Sequence, residues 1–564
     1  MPFHMSGTES APKASHDAEP QPNREPIKQA PPADERKCRP RLKLDIFDKC
    51  LAVLLLVAFY LRLQLQAVVK APWWDEASFL LFTRNLFENT NCAVETHRLP
   101  GLSVLLAPVY RIFGRAYSNF QFFEIIVSVL VILLTYILAS RLFRDKRIGL
   151  GAAILVALSW LNLFYVVRVF DRTPASFFFM LSIYLFLDGW APSQGAPGKG
   201  EKKSLLKLAI AGILWGIGNT IRFEGLAIGL GLLIYVILSE GFRGLFNRKS
   251  LTFGIACVIS YIPYLVWSYV SFGNPLFQIY RTLELVSGLQ QPATWFIDNM
   301  PHIIGVWWAP FLLVGTVALA YVAWTKGIRK PEGKSALFVL LVFLVDFAML
   351  SWSPYHEDRY LLVIFPLMAI VCSFGLYAII FIIPQMAVKS FKNNASAVKV
   401  MSAVFFVLVL LFSVQAYSYG KPIIISKGPS YSIVKSAAEK LESFEGRYDA
   451  VMGPFVQGQF PHPQLCYFAK NPSKFRWIAY PDNLTALNEY LSTPEGSRTL
   501  IYYSLPFDGH PDYLGWTQFS SQAAYDEFLK TNNLTIVWSG NELGIDGKPE
   551  AVGMFFARII NSNK

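Results

Sequence analysis

The chain has 564 residues, 53% hydrophobic, 15% aromatic and only 16% charged, with a mean hydropathy of +0.37 and a formal net charge of +12. Soluble domains carry about a quarter charged residues, so a wholly soluble chain is excluded. The Lys and Arg residues cluster in short segments between apolar runs, as in cytosolic loops facing anionic lipid, which argues against nucleic acid as a partner.

Residues 1–45 are polar and rich in Pro, Ala, Lys and Glu, so they are predicted to be a disordered cytosolic tail. No cleavable signal peptide is visible, and the first apolar run should remain as an anchor. Runs of about spanning length fall near 49–69, 120–140, 148–166, 174–191, 205–221, 225–240, 251–271, 301–324, 336–352, 360–384 and 400–418. Every even-to-odd loop is cationic. The groups are Arg141, Arg144, Lys146 and Arg147; Lys199, Lys202, Lys203 and Lys207; Arg243, Arg248 and Lys249; Lys326, Arg329, Lys330 and Lys334; and Lys389, Lys392 and Lys399. This bias places the N-terminus in the cytosol and, with about eleven spans, the C-terminus on the opposite face. After about residue 420, helical segments (KSAAEKLESF, LTALNEYLS, AAYDEFLKT) alternate with strand-like ones (YDAVMG, RTLIYYSL, LTIVWSG). The expected architecture is a polytopic α-helical membrane protein with a membrane part over 46–419 and a C-terminal extracytoplasmic soluble α/β domain over 420–564. The six cysteines show no metal-type spacing. Cys92 and Cys466 both fall outside the membrane and are free to pair.

The outer end collects the charged groups. In Trp73-Trp74-Asp75-Glu76, two carboxylates beside aromatic bulk could deprotonate an acceptor or hold a divalent cation, or could simply be a solvated loop with interface tryptophans. His97-Arg98 precedes an amphipathic stretch, Leu102 to Phe113, suited to lying in the interface; Arg98 is a candidate phosphate ligand. Arg168-Val169-Phe170-Asp171-Arg172-Thr173-Pro174 forms a tight hairpin, where Asp171 is a catalytic candidate, an ion-pair partner or a helix cap. Arg222-Phe223-Glu224-Gly225 reads as a functional turn or a boundary ion pair. Tyr355-His356-Glu357-Asp358-Arg359-Tyr360 could grip a lipid-linked phosphate through His356, Glu357 and Arg359. Asp346, deep in an apolar run, calls for a partner on a neighbouring helix or for a function.

Taken in order, WWDEA, RLPGLSVLLAPVYRIFG, VFDRTPASFFFMLSIYLF, NTIRFEGLAIGLGLLIYV and HEDRYLLVIFPLMA resemble the integral-membrane glycosyltransferases of the GT-C fold, and within them the dolichyl-phosphate-mannose protein mannosyltransferase and aminoarabinose transferase group. The resemblance spans about residues 49–418. It implies transfer of a hexose or pentose, with inversion, from a polyprenyl- or dolichyl-phosphate sugar to a glycan, lipid or protein acceptor on the extracytoplasmic face. It implies catalytic carboxylates at Asp75, as base or acceptor-positioning group, with Glu76 as the alternate and Asp171 as the second acidic member, and Arg98, Arg222, Glu224, His356, Glu357 and Arg359 as the donor-phosphate site. A divalent cation, Mg or Mn, at Asp75, Glu76 and Asp171 is compatible with it, since some relatives use one. The lysine common in the late loop of relatives is absent here. Likeness to bacterial and archaeal members favours a bacterial or archaeal inner membrane over the endoplasmic reticulum. The rival reading is a transporter or flippase of a lipid-linked saccharide, which calls for polar residues through the membrane depth and an internal repeat; only Asp346 lies at depth and no repeat is clear.

Overall fold

The computed structural model describes residues 45–190, 199–388, 394–428, 432–453, 463–481, 484–505, 527, 529–543 and 549–558. All but the last residue of the expected tail over 1–45 lies outside these.

The chain enters through α1 (Ile46–Gln66), which buries Leu51, Ala58, Arg62 and Leu65 on one stripe and exposes Val53, Leu56 and Tyr60 on the other. Two short helices, α2 (Trp74–Asn85) and α3 (Gly101–Phe113), follow before α4 (Tyr117–Phe143) returns. The run 148–166 is broken: α5 (Lys146–Leu158) and α6 (Trp160–Val166) meet at a 55° bend. Next come α7 (Arg172–Trp190), α8 (Lys199–Ile221), α9 (Gly225–Glu240) and α10 (Arg248–Phe272). The short α11 (Phe277–Ser287), α12 (Trp295–Asp298) and α13 (Met300–Ile304) lead into α14 (Ala309–Lys326), α15 (Pro331–Trp352), α16 (Phe365–Tyr377), α17 (Ile383–Ala387) and α18 (Ala395–Lys427).

Each of the eleven apolar runs is helical, but fewer qualify as spans on length and composition. Among the described residues, seven helices are long and apolar enough to cross a membrane, or eight if the bent α5–α6 pair is one span. The 16 residues of α9 make it one of the shorter apolar helices. The chain is a multi-pass membrane protein. Its α16 is apolar all round and buried from Phe365 to Leu376, as suits a helix enclosed by others. By contrast α10 turns Ile255, Val258, Ile259, Val266 and Val270 outward, an apolar face suited to lipid. Close crossings rest on small residues: a Cβ on Gly315 would meet the carbonyl oxygen of Val371 at 2.0 Å, so only glycine lets α14 lie this near α16.

The last membrane helix runs to Lys427, past the expected boundary at 419. Beyond it lie α19 (Ser432–Lys440), β1 (Ala450–Gly453), α20 (Pro463–Phe468), β2 (Arg476–Ala479), α21 (Leu484–Leu491), α22 (Pro494–Ser497), β3 (Thr499–Leu505), β4 (Leu534–Leu543) and β5 (Pro549–Arg558). The sheet order is β2-β1-β3-β5-β4, with β1 parallel to β2 and β3, and β5 antiparallel to β3 and β4. The strands expected at YDAVMG, RTLIYYSL and LTIVWSG are β1, β3 and β4; AAYDEFLKT lies mostly outside the described residues.

This sheet is not a detached module, since residues 46–564 form one compact unit. Cys92, between α2 and α3, is disulfide-bonded to Cys466 in α20. Beside it the buried Arg84 caps α20, donating through Nη1 to the carbonyl oxygens of Cys466 (3.1 Å), Tyr467 (2.8 Å) and Ala469 (2.7 Å), and through Nη2 to that of Lys470 (3.2 Å). A helix C-terminus leaves such carbonyls without intrahelical donors. Arg84→Ala is therefore expected to destabilise the protein by about 2–4 kcal/mol, because buried acceptors lose a charged donor. Thermal unfolding in detergent checks this: a lowered midpoint, partly recovered in Arg84→Lys, is the expected result, and an unchanged midpoint refutes the capping role.

Candidate active site at one end of the helices

The site begins with the start of α2. Glu76, fully buried, accepts the main-chain N–H of Trp73 at 3.0 Å, closing the first turn as the return half of a capping box does. Its other oxygen accepts the N–H of Val169 at 2.8 Å and the hydroxyl of Tyr117. Arg168, stacked over the Trp73 ring at 4.1 Å, lies 3.6 Å away. Burial pushes the Glu76 carboxyl above its ordinary range against the opposing pull of Arg168. Glu76 thus joins three segments: the start of α2, the N-terminus of α4 and the hairpin before α7.

One residue earlier on the helix, Asp75 points elsewhere, because successive side chains diverge by about 100° around an α-helix. Its Oδ1 accepts from Arg98 Nη2 at 2.7 Å and its Oδ2 from Arg359 Nη1 at 2.7 Å. Each arginine is braced by a second carboxylate: Arg98 pairs with Glu95, and Arg359 with Glu357. Glu95 also accepts from Trp74 Nε1 at 2.6 Å, and Glu357 from the Tyr355 hydroxyl at 2.5 Å. The Asp75 side chain keeps 26% of its surface accessible, whereas Glu76 keeps none. Burial works to raise the Asp75 pKa, but the Arg98 and Arg359 guanidiniums overcome it and hold the carboxyl well below the usual range.

The second acidic centre is built alike. Asp171 Oδ1 accepts from Arg172 Nη1 at 2.8 Å and Oδ2 from Arg222 Nη1 at 3.0 Å. Arg222 Nε donates to Glu224 at 2.8 Å. Against the effect of burial, Arg222 and Arg172 hold the Asp171 carboxyl low. The Asp171 side chain pairs with these arginines rather than capping α7. Aromatic rings join the two centres: Arg359 lies 5.5 Å over Phe170, the neighbour of Asp171, and Tyr360, the neighbour of Arg359, has the guanidiniums of Arg172 and Arg222 over its ring at 5.1 and 5.8 Å.

Asp75, Arg98, Asp171, Arg222, Glu224, Glu357 and Arg359 therefore gather at one end of the helices, from four separate connections. His356 does not join them. Its ring is buried against Trp295 (6.0 Å, 10° between planes) and Phe296 (5.0 Å), with Nε2 3.1 Å from the Ser351 carbonyl oxygen. The adjacent Asp358 accepts from the Tyr165 hydroxyl at 3.1 Å, away from the arginines. Glu76 is likewise turned out of the site into the scaffold. Glu95, Arg172 and Tyr360 belong to it although the sequence did not single them out; the one cue was that Arg172 adjoins Asp171 and Tyr360 adjoins Arg359. His97, pushed down to about 4 by burial and by Arg98, is neutral near pH 7.

The carboxylates do not make a metal centre. Glu76 faces backbone N–H groups and a tyrosine, while Asp75 and Asp171 each face two guanidiniums. Among the described residues no three His, Cys, Asp or Glu side chains converge to hold a metal ion. The trio Asp75, Glu76 and Asp171 therefore does not fit a divalent cation.

A scaffolding role for Glu76 has a direct consequence. Glu76→Gln would turn an amide N–H toward a buried donor and unpair Arg168, at a cost of about 2–4 kcal/mol. A lowered thermal midpoint is expected, against a near-normal one for Asp75→Asn; the reverse order would move Glu76 back into the chemistry.

Residues 97–267 match the family model described as dolichyl-phosphate-mannose-protein mannosyltransferase. No curated protein matches the chain by sequence. Among solved structures, ArnT from Cupriavidus metallidurans bound to undecaprenyl phosphate is similar at 13% identity and a TM-score of 0.58, over 90% of this chain and 98% of that one. The Archaeoglobus fulgidus oligosaccharyltransferase, tethered to an acceptor peptide, is similar at 14% identity and a TM-score of 0.52, over 81% of this chain and 69% of that one. AglB of the same organism, in complex with an inhibitory peptide and a dolichol-phosphate, gives a TM-score of 0.51 at 14% identity, over 81% and 70%. The chain has the GT-C fold of these integral-membrane glycosyltransferases.

Proposed function

We propose that the chain is a membrane glycosyltransferase that moves a sugar from a polyprenyl- or dolichyl-phosphate donor to an acceptor hydroxyl or amide on the extracytoplasmic face. The observation that carries the reading is Asp75, partly open to solvent and clamped by Arg98 and Arg359 from two different loops, at the end shared by Asp171, Arg172 and Arg222. The family match over residues 97–267 and the fold support it. The concentration of cations in the even-to-odd loops supports eleven spans and a cytosolic N-terminus, and the likeness to bacterial and archaeal members favours a bacterial or archaeal inner membrane.

In this reading the acceptor attacks the anomeric carbon from the face opposite the phosphate. The new bond forms to the acceptor atom, the bond to the phosphate oxygen breaks with its electron pair on phosphate, and the configuration inverts. A departing phosphate monoester needs charge stabilisation more than protonation, and guanidiniums supply it bidentately. Arg222 and Arg359 are the ligands best placed for it, with Arg98 and Arg172 beside them. A carboxylate held low by two arginines is a weak base at rest. Donor phosphate that draws Arg359 away from Asp75 removes one stabilising charge, so Asp75 becomes a better acceptor of the nucleophile's proton when the donor is bound.

The test is loss and recovery of a glycan. Mass spectrometry of envelope lipids and glycans from cells lacking the chain should identify a missing sugar that the wild-type protein restores. Asp75→Asn at equal abundance should restore it at a rate lower by about 100-fold or more. Arg222→Lys should mainly raise KM for the donor, since a lysine cannot pair bidentately. Full activity of Asp75→Asn would refute the assignment, and movement of the lipid-linked sugar across the membrane without a new glycosidic bond would favour a flippase.

A further inference from the structure

A concavity lined by none of the carboxylates and arginines of the candidate active site lies elsewhere in the fold. It opens between the last turn of α1, the first turn of α4 and the C-terminal part at α19 and α20, and encloses about 710 Å³, a size suited to a small polar ligand. Its rim carries four cations, Lys70, Arg115, Lys435 and Lys470, against two carboxylates, Glu439 and Glu442. Lys470 pairs with Glu442 at 2.5 Å. Lys70 and Arg115 donate only to backbone carbonyl oxygens in the described contacts, those of Ala67 (2.6 Å) and Ala469 (3.2 Å). The cavity therefore presents net positive charge with guanidinium and ammonium donors to spare.

Its position specifies the kind of anion. Gln66 ends α1 and Tyr117 begins α4, so the cavity sits where two membrane helices leave the apolar layer, at the end that the charge count assigns to the outside. Directly along those two helices lies an unpartnered apolar strip. Phe59 and Phe122 meet edge to face at 6.1 Å, and Leu56, Tyr60, Phe122 and Ile126 are all exposed. A cationic cavity above an apolar strip matches an amphiphile with an anionic head and a hydrocarbon tail. The back wall is continuous with the scaffold of the active site. Tyr117 donates to Glu76, and Gln121 donates to the carbonyl oxygens of Val69 (3.4 Å) and Val167 (2.7 Å), on the segments leading to Asp75 and Asp171.

We propose that this cavity binds the phosphate headgroup of an anionic membrane lipid, at a site separate from that of sugar transfer. Phosphate oxygens meet Lys70, Arg115 and Lys435, while the tail lies along α1 and α4. The site does not rest on the transferase reading, because binding is measured without donor or acceptor.

The full-length chain in neutral detergent would be titrated with phosphatidylglycerol bearing a fluorescent tail, using phosphatidylcholine with the same tail as control and inorganic phosphate as competitor. Phosphatidylglycerol should bind about tenfold more tightly than phosphatidylcholine, and Lys70→Ala/Lys435→Ala should abolish that preference while leaving the thermal midpoint unchanged. Lys435→Glu, a change on an exposed face of α19, should give the same loss. Equal binding of the two lipids would overturn the proposal, as would an undiminished preference in both variants. Inorganic phosphate displacing the lipid at equal concentration would overturn the lipid assignment in favour of a free-phosphate site.

Discussion

Everything at the charged end of the helices depends on one constraint: a charge beside hydrocarbon must have a partner. The chain meets it by making three guanidiniums serve two carboxylates each. Arg98 bridges Asp75 and Glu95, Arg359 bridges Asp75 and Glu357, and Arg222 bridges Asp171 and Glu224. The partners come from distant stretches, so the network can form only when α2, the hairpin before α7, the turn between α8 and α9 and the loop before α16 have all docked. The ion pairs act as a register for the helical ends, and the packing of α16 and its neighbours supplies the stability.

The same arrangement suits the site to an anionic ligand. A network in which every arginine is already paired is stable when empty. An arginine taken by an incoming phosphate keeps an anionic partner, and the carboxylate it leaves becomes more basic. Two carboxylates fall outside this scheme. Glu124 in α4 and Asp346 in α15 are fully buried, and their oxygens have no hydrogen-bond partner among the described residues. The partner for Asp346 that the apolar run called for is not found there.

Much of the architecture was legible because it depends on local composition. Eleven apolar runs became helices, and the loops bearing Asp75, Asp171, Arg222 and Arg359 met at one end, as alternation of sides requires. The number of spans was less legible, since α9 is short and a break between Leu158 and Trp160 bends one run. In the C-terminal part, β2 and β5 went unread: β2 is four residues long, and β5 earns its place by pairing with β3 and β4 rather than by its own pattern. The contact between Cys92 and Cys466 spans 374 residues and could only be offered as an option.

What the residues could not reveal is rotation about a helix axis. Asp75 and Glu76 are neighbours of like charge, and read as a string they are interchangeable candidates. On α2 they face different worlds: one meets arginines from two loops and water, the other meets main-chain N–H groups and a tyrosine. The same divergence separates His356, packed on Trp295, from Arg359 three residues later. Chemistry at this site is therefore assigned by the direction of each side chain, which tertiary packing sets. Glu76 shows how the two roles are joined, because the bonds that remove it from the site are those that aim Asp75 into it.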